Sequence, residues 1–329
     1  MRVLVLGGTH YVGRTIVEEA LRRGDEVTIL NRGLSGTVAG DVTRLTADRT
    51  DPRALRDAIG DREWDAVLDT WMGAPRVTRD TCALLRGRTR HFGFVSSWSV
   101  YQRPLPSGAD ESAEVVAGDP DDESGDFYPV AKRGSEIAVL EAFGERALIA
   151  RAGPTLGPYD DIGSITWWLR RIGQGGRILV PGSPEYPLRY IDARDLAIWM
   201  LGAADRHLGG TFTVAGPLGI HTMGEFLTTM RRVTGSDAEL VWVPDDAATA
   251  AGLRPYLDVP LWFPASIRDG MFDVDVSAAH RAGLDTRRPL HSTLADTWSW
   301  LRSEGEPPWQ DTRRWLDPAA VQRALAEVS

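Results

Sequence analysis

Apolar and polar residues alternate near the N-terminus in an order that predicts a strand, a helix and a second strand. Arg2–Leu6 is a short run rich in valine and leucine, and the glycine-rich stretch 7–13 follows it directly. Apolar residues then recur at helical spacing to about Arg23, and Gly24 ends the predicted helix before the strand Glu26–Leu30. The pattern predicts a β-α-β unit with a glycine turn after its first strand.

The same alternation continues to about residue 150. Further strands are predicted at Val42–Thr46, Ala66–Asp69, Phe92–Ser96 and Ala147–Ala150, and helices at Pro52–Ile59, Pro75–Leu85 and Tyr128–Phe143. Strands that alternate with helices predict an α/β fold with a Rossmann-type, doubly wound parallel sheet. Glycine and proline punctuate the chain after Pro158, which indicates a smaller C-terminal domain.

Ligands of doubly wound sheets bind at the carboxyl ends of the strands. The glycine turn would let the backbone approach a pyrophosphate, whose charge the free N–H groups and the positive end of the helix dipole would hold. The strand-end residues expected at this edge are Gly7, Asn31, Asp48, Thr70 and Ser97. We therefore expect residues 1–155 to form a dinucleotide-binding domain, with 190–220 returning to it, and residues 156–329 to form mainly a substrate-binding domain.

Two side chains near this edge are suited to proton transfer. Tyr128 and Lys132 lie four residues apart at the head of a predicted helix, so the lysine ammonium can favour the ionised phenol. A neighbouring cation lowers the phenol pKa from about 10 toward the working range of a general acid or base. A serine hydroxyl at the end of the preceding strand could hydrogen-bond the reacting oxygen and fix its position.

Composition narrows the classes of function. A formal charge of -9 argues against a general affinity for nucleic acid, and no apolar run approaches the roughly 18 residues of a membrane span. The apolar stretch at the N-terminus is too short for a signal peptide. Cys82 is the single cysteine, which rules out an internal disulfide, and the six histidines lack the spacing of a metal site. We expect a cytoplasmic protein without metal, membrane or nucleic-acid partner.

Three motifs together resemble one known group of enzymes. The glycine turn 7–13, the strand end Ser96–Tyr101 and the helix start Tyr128–Lys132 are similar to those of the extended short-chain dehydrogenase/reductase superfamily. The chain resembles the NAD-dependent epimerase/dehydratase family over nearly its whole length, including residues 151–158 and the C-terminal region 287–298.

The resemblance implies a role for each motif. Ser97 corresponds to the catalytic serine, with Ser96 as the alternative, and Tyr128 corresponds to the tyrosine that transfers a proton. Lys132 corresponds to the residue that binds the nicotinamide ribose. The implied catalytic residues are Ser97, Tyr128 and Lys132. The cofactor-binding residues expected on all grounds are Gly7, Thr9, His10, Tyr11, Val12, Gly13, Asn31, Arg32, Asp48, Thr70, Trp71 and Lys132.

The sequence departs from the family pattern at three places. His10 replaces the middle glycine of the turn, as in a subset that resembles chloroplast stem-loop RNA-binding proteins. Asn31-Arg32 stands where an NAD-binding domain offers an acidic side chain, which favours NADP over NAD, although Arg32 could instead be a surface residue or stack on adenine. Trp98-Ser99 replaces the Asp-Glu pair of the family dehydratases, which disfavours sugar dehydration.

Two arginines of the second half match family positions that grip the diphosphate of a nucleotide sugar. Arg189 and Arg268 stand at these positions, but each could equally be structural, and Arg189 could pair with Asp192 or Asp195. The expected substrate-binding residues are Trp98, Arg189 and Arg268. The acidic stretch 103–127 is expected to be a solvated flap at the mouth of the site.

Three functions fit these features. The preferred one is a reductase or dehydrogenase that acts on a carbonyl or secondary alcohol of a small molecule, with Tyr128 moving the proton. A nucleotide-sugar epimerase would use the same residues and retain its NAD. A non-catalytic nucleotide- or RNA-binding protein would keep the fold without turnover, although the overall acidity speaks against RNA. We also expect a homodimer, because relatives often pair through the helix that carries the tyrosine and lysine.

Overall fold

The computed structural model describes residues 1–34, 36, 38–304 and 316–327. The chain divides into two compact units. The first unit comprises Met1–Pro154, Ala193–Ala215 and Asp275–Thr286, and the second comprises Thr155–Asp192, Gly216–Val274 and Arg287–Ser329. The chain therefore returns to the first unit twice, and the sequence did not indicate the second return, at Asp275–Thr286.

Strands and helices alternate along much of the chain. In chain order the elements are β1 (Arg2–Leu6), α1 (Tyr11–Arg22), β2 (Glu26–Asn31), β3 (Val42–Thr46), α2 (Pro52–Ile59), β4 (Trp64–Asp69), α3 (Pro75–Leu85), β5 (Thr89–Ser97), α4 (Tyr128–Phe143), β6 (Ala147–Ala152), β7 (Thr155–Leu156), α5 (Ile165–Gly173), β8 (Arg177–Pro181), β9 (Pro187–Leu188), β10 (Ile191–Asp192), α6 (Ala193–Asp205), β11 (Gly210–Val214), β12 (His221–Thr222), α7 (Met223–Thr234), β13 (Glu239–Val243), α8 (Asp245–Ala250), α9 (Ala265–Phe272), α10 (Ser277–Arg281), α11 (Leu290–Glu304) and α12 (Pro318–Ala326). Short 3-10 turns follow β5 and α4.

The first unit is built on one parallel sheet. Within the described residues this sheet has seven strands in the order β3-β2-β1-β4-β5-β6-β11, and each neighbouring pair is parallel. The strand order reverses between β1 and β4, and sheets of this type bind ligands at the carboxyl ends of the strands beside such a reversal. The predicted Rossmann-type, doubly wound parallel sheet is confirmed.

Helices cover both faces of the sheet because its central strands are apolar on both faces. Helices α2, α3 and α4 pack on the face that presents Leu4, Phe92 and Phe94, and the Phe92 ring stacks on Phe143 of α4 with ring centroids 4.6 Å apart. Helices α1 and α6 pack against each other and against strands of the sheet, and α1 buries Ile16 and other apolar residues there. Two apolar layers therefore hold the carboxyl ends of the strands in place.

The apolar pattern of the sequence predicted the ends of several helices and strands, but it predicted two strands too short. Helices α2, α3 and α4 and strands β1 and β3 begin and end at the predicted residues. Strands β5 and β6 are longer than predicted because their polar residues are buried with partners. His91 of β5 has no exposed surface and its Nε2 atom lies 3.0 Å from the Leu208 oxygen, while Arg151 of β6 pairs with Glu136.

The second unit contains short strand pairs and helices. In its described residues, β7 pairs with β10 and β8 with β13 in parallel, whereas β9 pairs with β12 in antiparallel fashion. Helices α5, α7 and α11 pack together. Trp168 of α5 is fully buried and donates its indole N–H to the Pro260 oxygen at 2.8 Å, so at least part of the large tryptophan content serves this core.

The acidic stretch 103–127 is anchored to the first unit at a few points and is otherwise largely exposed, and its role as a flap at the mouth of the site stays a prediction. Glu111 accepts a hydrogen bond from the Thr213 backbone N–H of β11 at 2.6 Å. Arg76 of α3 pairs with Glu123 at 2.6 Å. Most of the carboxylates of this stretch, the paired Glu123 among them, keep exposed surface, so the acidic composition indicated a solvated segment as expected.

No helix in the described part of the chain combines the length and apolar character needed to cross a bilayer. No group of three or more His, Cys, Asp or Glu side chains there could hold a metal ion. Burial, together with the nearby Asp69 carboxylate, raises the pKa of the Cys82 thiol, so this cysteine is a packing residue in its protonated form.

Candidate active site

The turn between β1 and α1 is made of glycines that leave no room for side chains. Gly7 and Gly8 have φ angles of 108° and 91°, in a region that residues with a Cβ rarely adopt. A Cβ on Gly13 would lie 2.9 Å from the Gly8 nitrogen, so the first turn of α1 lies directly against the loop. This bare backbone at a helix N-terminus fits the pyrophosphate of a dinucleotide.

His10, Tyr11 and their neighbours complete the turn. Thr9 and Tyr11 are buried, Val12 is half-buried and His10 is exposed. Desolvation by the surrounding protein, and secondly the Arg14 guanidinium, lower the pKa of His10 from its usual 6.5. The imidazole is therefore neutral at pH 7 and can offer a phosphate a hydrogen bond but no charge.

The carboxyl ends of β2 and β3 carry the polar side chains expected near the adenosine half of the cofactor. Asn31 donates its side-chain N–H to the Gly7 oxygen at 3.4 Å, and the Arg32 side chain that follows is exposed. Asp48 is exposed, and its carboxylate accepts from the Thr50 backbone N–H and hydroxyl at 2.9 and 2.8 Å. These bonds lower the pKa of Asp48, and the nearby Arg32 cation adds a smaller lowering.

Thr70 and Trp71 follow β4 and lie at the same edge of the sheet. The Thr70 hydroxyl donates to the Leu6 oxygen at 3.4 Å, and its oxygen would be 3.2 Å from a Cβ on Gly7. Trp71 is half-buried, and its backbone oxygen accepts a hydrogen bond from the Lys132 ammonium. The loop after β4 therefore contacts both the glycine turn and the predicted catalytic lysine.

The two candidate serines have different partners. Ser96 is buried and donates to Glu136 at 2.6 Å, within a cluster in which Arg151 donates to both carboxylate oxygens at 3.0 Å. Ser97 is half-buried and accepts the Ser99 backbone N–H at 3.1 Å at the start of the 3-10 turn. In its contacts with described residues, the Ser97 hydroxyl therefore only accepts a hydrogen bond, whereas the Ser96 hydroxyl donates its proton to Glu136.

The first two turns of α4 bring Tyr128 and Lys132 to the ends of β4 and β5. Tyr128 is the first residue of the helix and is 41% exposed, whereas Lys132 is 2% exposed. The Lys132 ammonium donates to the Trp71 oxygen at 2.5 Å and to the Val95 oxygen at 2.8 Å. Its nitrogen lies 5.8 Å from the centre of the Tyr128 ring. A phenol and an ammonium therefore meet at the edge that carries the glycine turn.

Lys132 is also the only lysine in the chain. Lysine and arginine together number 37, so every other cation of this kind is an arginine. A guanidinium is planar and stays charged, whereas an ammonium is a compact donor whose pKa shifts on burial. A single lysine at this position favours the predicted role of Lys132, because arginine would not supply the same chemistry. The uniqueness of Lys132 is a signal independent of the Tyr-x-x-x-Lys spacing.

The stability of the protein should depend on pH through Lys132. Burial lowers the pKa of Lys132 from 10.5 to about 7, with Arg49 contributing, although Asp69 and Glu136 oppose the shift. Between these two pH values the unfolded chain binds a proton that the folded protein does not bind, so stability rises with pH. Relative to Lys132→Met, the wild-type free energy of unfolding should rise by about 1 kcal/mol per pH unit. Urea unfolding of both proteins at pH 7, 8 and 9 measures the difference between their free energies of unfolding. A difference that does not change with pH would contradict the prediction.

Arg189 and Arg268 both lie beside aromatic residues of the second unit. Arg189 is buried and donates to the backbone oxygens of Gly216 and Phe272 at 3.0 and 2.6 Å. The Arg268 guanidinium lies 4.9 Å from the centre of the Tyr186 ring, which packs edge-on against Phe272. These contacts give both arginines a structural role, and binding of a diphosphate stays a prediction.

Trp98, which we expected to line a substrate pocket, is a packed residue in this structure. Its side chain is 6% exposed. A Cβ on Gly153 would lie 3.0 Å from the indole, so the ring covers the backbone there. Its contribution to substrate binding stays a prediction.

Sequence analysis missed a buried ion pair at this edge. Arg49 and Asp69 are 6% and 0% exposed, and the guanidinium holds the two carboxylate oxygens at 2.8 Å each. Asp69 also accepts the Trp71 backbone N–H at 3.0 Å. A signal was present in the sequence, because a carboxylate that directly follows the apolar run Ala66–Leu68 requires a cation or several donors beside it.

Comparison with known sequences agrees with this geometry. The model of the NAD dependent epimerase/dehydratase family matches residues 3–215. The epimerase family protein SDR39U1 of Bos taurus is 28% identical over 254 residues, which are 72% of this chain and 82% of that protein. The matched region contains the glycine turn, the serines and the helix with Tyr128 and Lys132.

Solved structures show the same fold. The UDP-glucose 4-epimerase of Thermotoga maritima, solved with UDP-glucose, is 18% identical with a TM-score of 0.68, over 92% of this chain and 99% of its own. The enzyme WbmH of Bordetella bronchiseptica, solved with NAD+, is 17% identical with a TM-score of 0.71, over 93% of this chain and 99% of its own. The family model spans more than half of the residues and confirms the resemblance drawn from the motifs. The chain belongs to the NAD-dependent epimerase/dehydratase family.

Proposed function

We propose that the protein is an NAD(P)-dependent oxidoreductase that acts on a secondary alcohol or carbonyl group of a small molecule. The observation that carries the proposal is the contact of Lys132 with the Tyr128 ring and with the ends of β4 and β5, at the sheet edge that also holds the glycine turn and where β5 ends in Ser97. When bound, a nicotinamide dinucleotide accepts or supplies the hydride. Membership of the NAD-dependent family and the relative solved with NAD+ support this class of cofactor.

Each residue of the site has a separate task in this proposal. The Tyr128 hydroxyl gives a proton to the substrate oxygen during reduction and removes it during oxidation. The Ser97 hydroxyl donates a hydrogen bond to the same oxygen and so fixes its position. Lys132 binds the nicotinamide ribose through its N–H groups, and in the protonated form, which its pKa of about 7 favours at lower pH, it also favours the ionised phenol. The half-exposed phenol can reach a substrate, and the buried ammonium is held in place by two backbone oxygens.

NADP is the cofactor that we propose, with NAD as the alternative. The glycine turn would hold the pyrophosphate, and β2 ends in Asn31 with the exposed Arg32 after it. A guanidinium suits a 2′-phosphate because it can donate two parallel hydrogen bonds to it. The Asp48 carboxylate lies near Arg32 and would accept a hydrogen bond from the adenine amine.

Fluorescence titration with NADPH and NADH tests the proposal directly. The wild-type protein should bind NADPH more tightly than NADH, and Arg32→Ala should weaken NADPH binding about tenfold while NADH binding stays within about twofold. Arg53→Ala, which removes an exposed arginine from the start of α2, is the control and should change neither affinity.

The titration also has outcomes that contradict the proposal. Absence of saturable binding with either dinucleotide, in protein that carries no retained NAD, would remove the oxidoreductase assignment and leave a non-catalytic member of the fold. Equal weakening of NADPH and NADH in Arg32→Ala would place Arg32 at the adenine instead of a 2′-phosphate. NADPH and NADH of equal affinity for the wild type would end the preference for NADP.

A nucleotide-sugar epimerase is the second candidate. The relative solved with UDP-glucose favours it, and so does the match of Arg189 and Arg268 to family positions that grip a diphosphate. An epimerase keeps its dinucleotide through the reaction cycle, whereas a reductase exchanges it. Native mass spectrometry of the freshly purified protein separates the two, because retained NAD supports the epimerase and an exchangeable dinucleotide supports the reductase. The same spectrum reports whether the protein is the expected homodimer.

A further inference from the structure

We propose that Asp69, which pairs with Arg49, is a positioning residue that fixes the backbone of Trp71. The Trp71 carbonyl oxygen in turn accepts a hydrogen bond from the Lys132 ammonium. The inference rests on the proposed function, in which Lys132 acts at the cofactor. It adds two residues, Arg49 and Asp69, that touch neither substrate nor cofactor and act through Lys132. The chain of contacts runs from the loop after β3 to the first turns of α4.

Residue 71 is held at three places. Its backbone N–H donates to Asp69 at 3.0 Å, its indole N–H donates to the Ala74 oxygen at 2.9 Å, and the Arg49 guanidinium lies 5.0 Å from the ring centre. A carboxylate that accepts the N–H two residues later defines the turn that follows a strand. With Trp71 fixed in this way, its carbonyl oxygen has one position, and that oxygen accepts from Lys132.

Arg49 holds the carboxylate in a defined orientation. The two terminal guanidinium nitrogens each donate to Asp69 at 2.8 Å, and the Thr81 hydroxyl oxygen of α3 accepts from Nη2 at 3.2 Å and from Nε at 3.4 Å. Two parallel bonds leave the carboxylate no freedom to rotate away from the Trp71 N–H. Asp69 ends β4 in register with Leu6 of β1 and Phe94 of β5, so it lies inside the sheet and not on a mobile loop.

The ammonium takes its orientation from the two oxygens that it contacts. Toward the described residues, Lys132 donates two of its three N–H bonds, to Trp71 and Val95. Because the ammonium is tetrahedral, these two bonds set the direction of the third, which is left for the site. A shift of the Trp71 oxygen would therefore redirect the N–H that the cofactor and the phenol require.

Stability alone does not explain the ion pair. Removing two charges from water costs several kcal/mol per ion, and apolar residues of similar size in place of a buried ion pair are often neutral or stabilising. A pair with no exposed surface on Asp69 and little on Arg49 therefore contributes little that packing could not supply. The specific contribution of Asp69 is an oxygen that accepts the Trp71 N–H.

Two double variants that differ only at residue 69 test the inference. Both remove the ion pair, but Arg49→Met/Asp69→Asn keeps an acceptor for Trp71, and Arg49→Met/Asp69→Leu does not. Labelled lysine gives a single side-chain NMR signal, because the chain has one lysine, so Lys132 can be followed without any substrate. Turnover and NADPH affinity are measured on the same preparations.

The leucine variant should shift the Lys132 signal and lower kcat at least about tenfold, with NADPH affinity within about threefold. The asparagine variant should keep the wild-type signal and at least about a third of kcat, because its side-chain oxygen still accepts from Trp71. Thr229→Val, which removes a buried hydroxyl that donates to the Glu225 oxygen within α7, is the control and should match the wild type in both readouts.

Equal behaviour of the two double variants overturns the inference, whether both match the wild type or both lose the signal and activity together. In the first case the pair only fills space, and in the second its charge, not the bond to Trp71, is what matters. If no redox turnover is found in the wild type, the proposed function fails, and the Lys132 signal alone still decides whether Asp69 positions the ammonium.

Discussion

Replacing Tyr128 by phenylalanine is expected to lower turnover at least about a hundredfold and to leave dinucleotide affinity nearly unchanged. Positioned general acid–base groups typically contribute factors of this size or larger. The ring is 41% exposed at the start of α4, so removing its hydroxyl changes little of the packing. Turnover is followed by NADPH absorbance with the best substrate from a panel of ketones and quinones, and affinity by NADPH fluorescence.

Tyr256→Phe is the matched control for this substitution. Tyr256 is 39% exposed and its ring stacks on Phe263 with centroids 5.4 Å apart, so it also loses only a hydroxyl from a partly exposed ring. The control should keep wild-type turnover and affinity. Unchanged turnover in Tyr128→Phe would remove the phenol from the mechanism, and a joint loss of turnover and NADPH affinity would make Tyr128 a cofactor-binding residue instead.

Adding one methyl group to the glycine turn should abolish most dinucleotide binding. The Cβ of Gly13→Ala would lie 2.9 Å from the Gly8 nitrogen and 3.4 Å from the Thr70 hydroxyl oxygen, so the loop must move away from the helix. We expect NADPH affinity to fall at least about thirtyfold, about 2 kcal/mol, because the N–H groups at the start of α1 then no longer converge. Fluorescence titration and the rise of the melting temperature with saturating NADPH measure the loss.

Gly87→Ala is the control that tests whether the loss of NADPH affinity is specific to the glycine turn. No described atom lies within 4 Å of a Cβ built on Gly87, so the substitution adds a methyl group in open space. Its affinity for NADPH should equal that of the wild type. If Gly13→Ala retained full affinity while remaining folded, the glycine turn would not be the binding site for the dinucleotide.

The helices and strands of the first unit could be predicted because their signals are local. Helices α2, α3 and α4 each carry a complete period of apolar residues between clear ends, and the glycine turn follows β1 without interruption. The ends of β5 and β6 could not be predicted because His91 and Arg151 look like loop residues until their buried partners are known. A polar residue in a sequence does not show whether the folded core contains a hydrogen-bonding partner for it.

The part of the candidate site that lies within sequence motifs could be predicted. The turn, Ser97, Tyr128 and Lys132 stand at spacings that the sequence shows directly. The Arg49–Asp69 pair joins residues that lie 20 positions apart, and the apolar run before Asp69 indicates that a partner is needed without identifying Arg49. The contacts of Arg189 were also hidden, because its partners are backbone oxygens as far as 83 residues away, and any sequence supplies such oxygens.

Because the chain has a single lysine, a reagent that attacks amines has very few target groups in this protein. Such a reagent has two possible targets, the N-terminal amine, which lies 2.7 Å from Asp25, and the side chain buried beside the phenol. Acylation that reaches the second target reports an open site, and ligands that cover the site block it. Counting acyl groups by mass would therefore measure the fraction of molecules whose site is occupied.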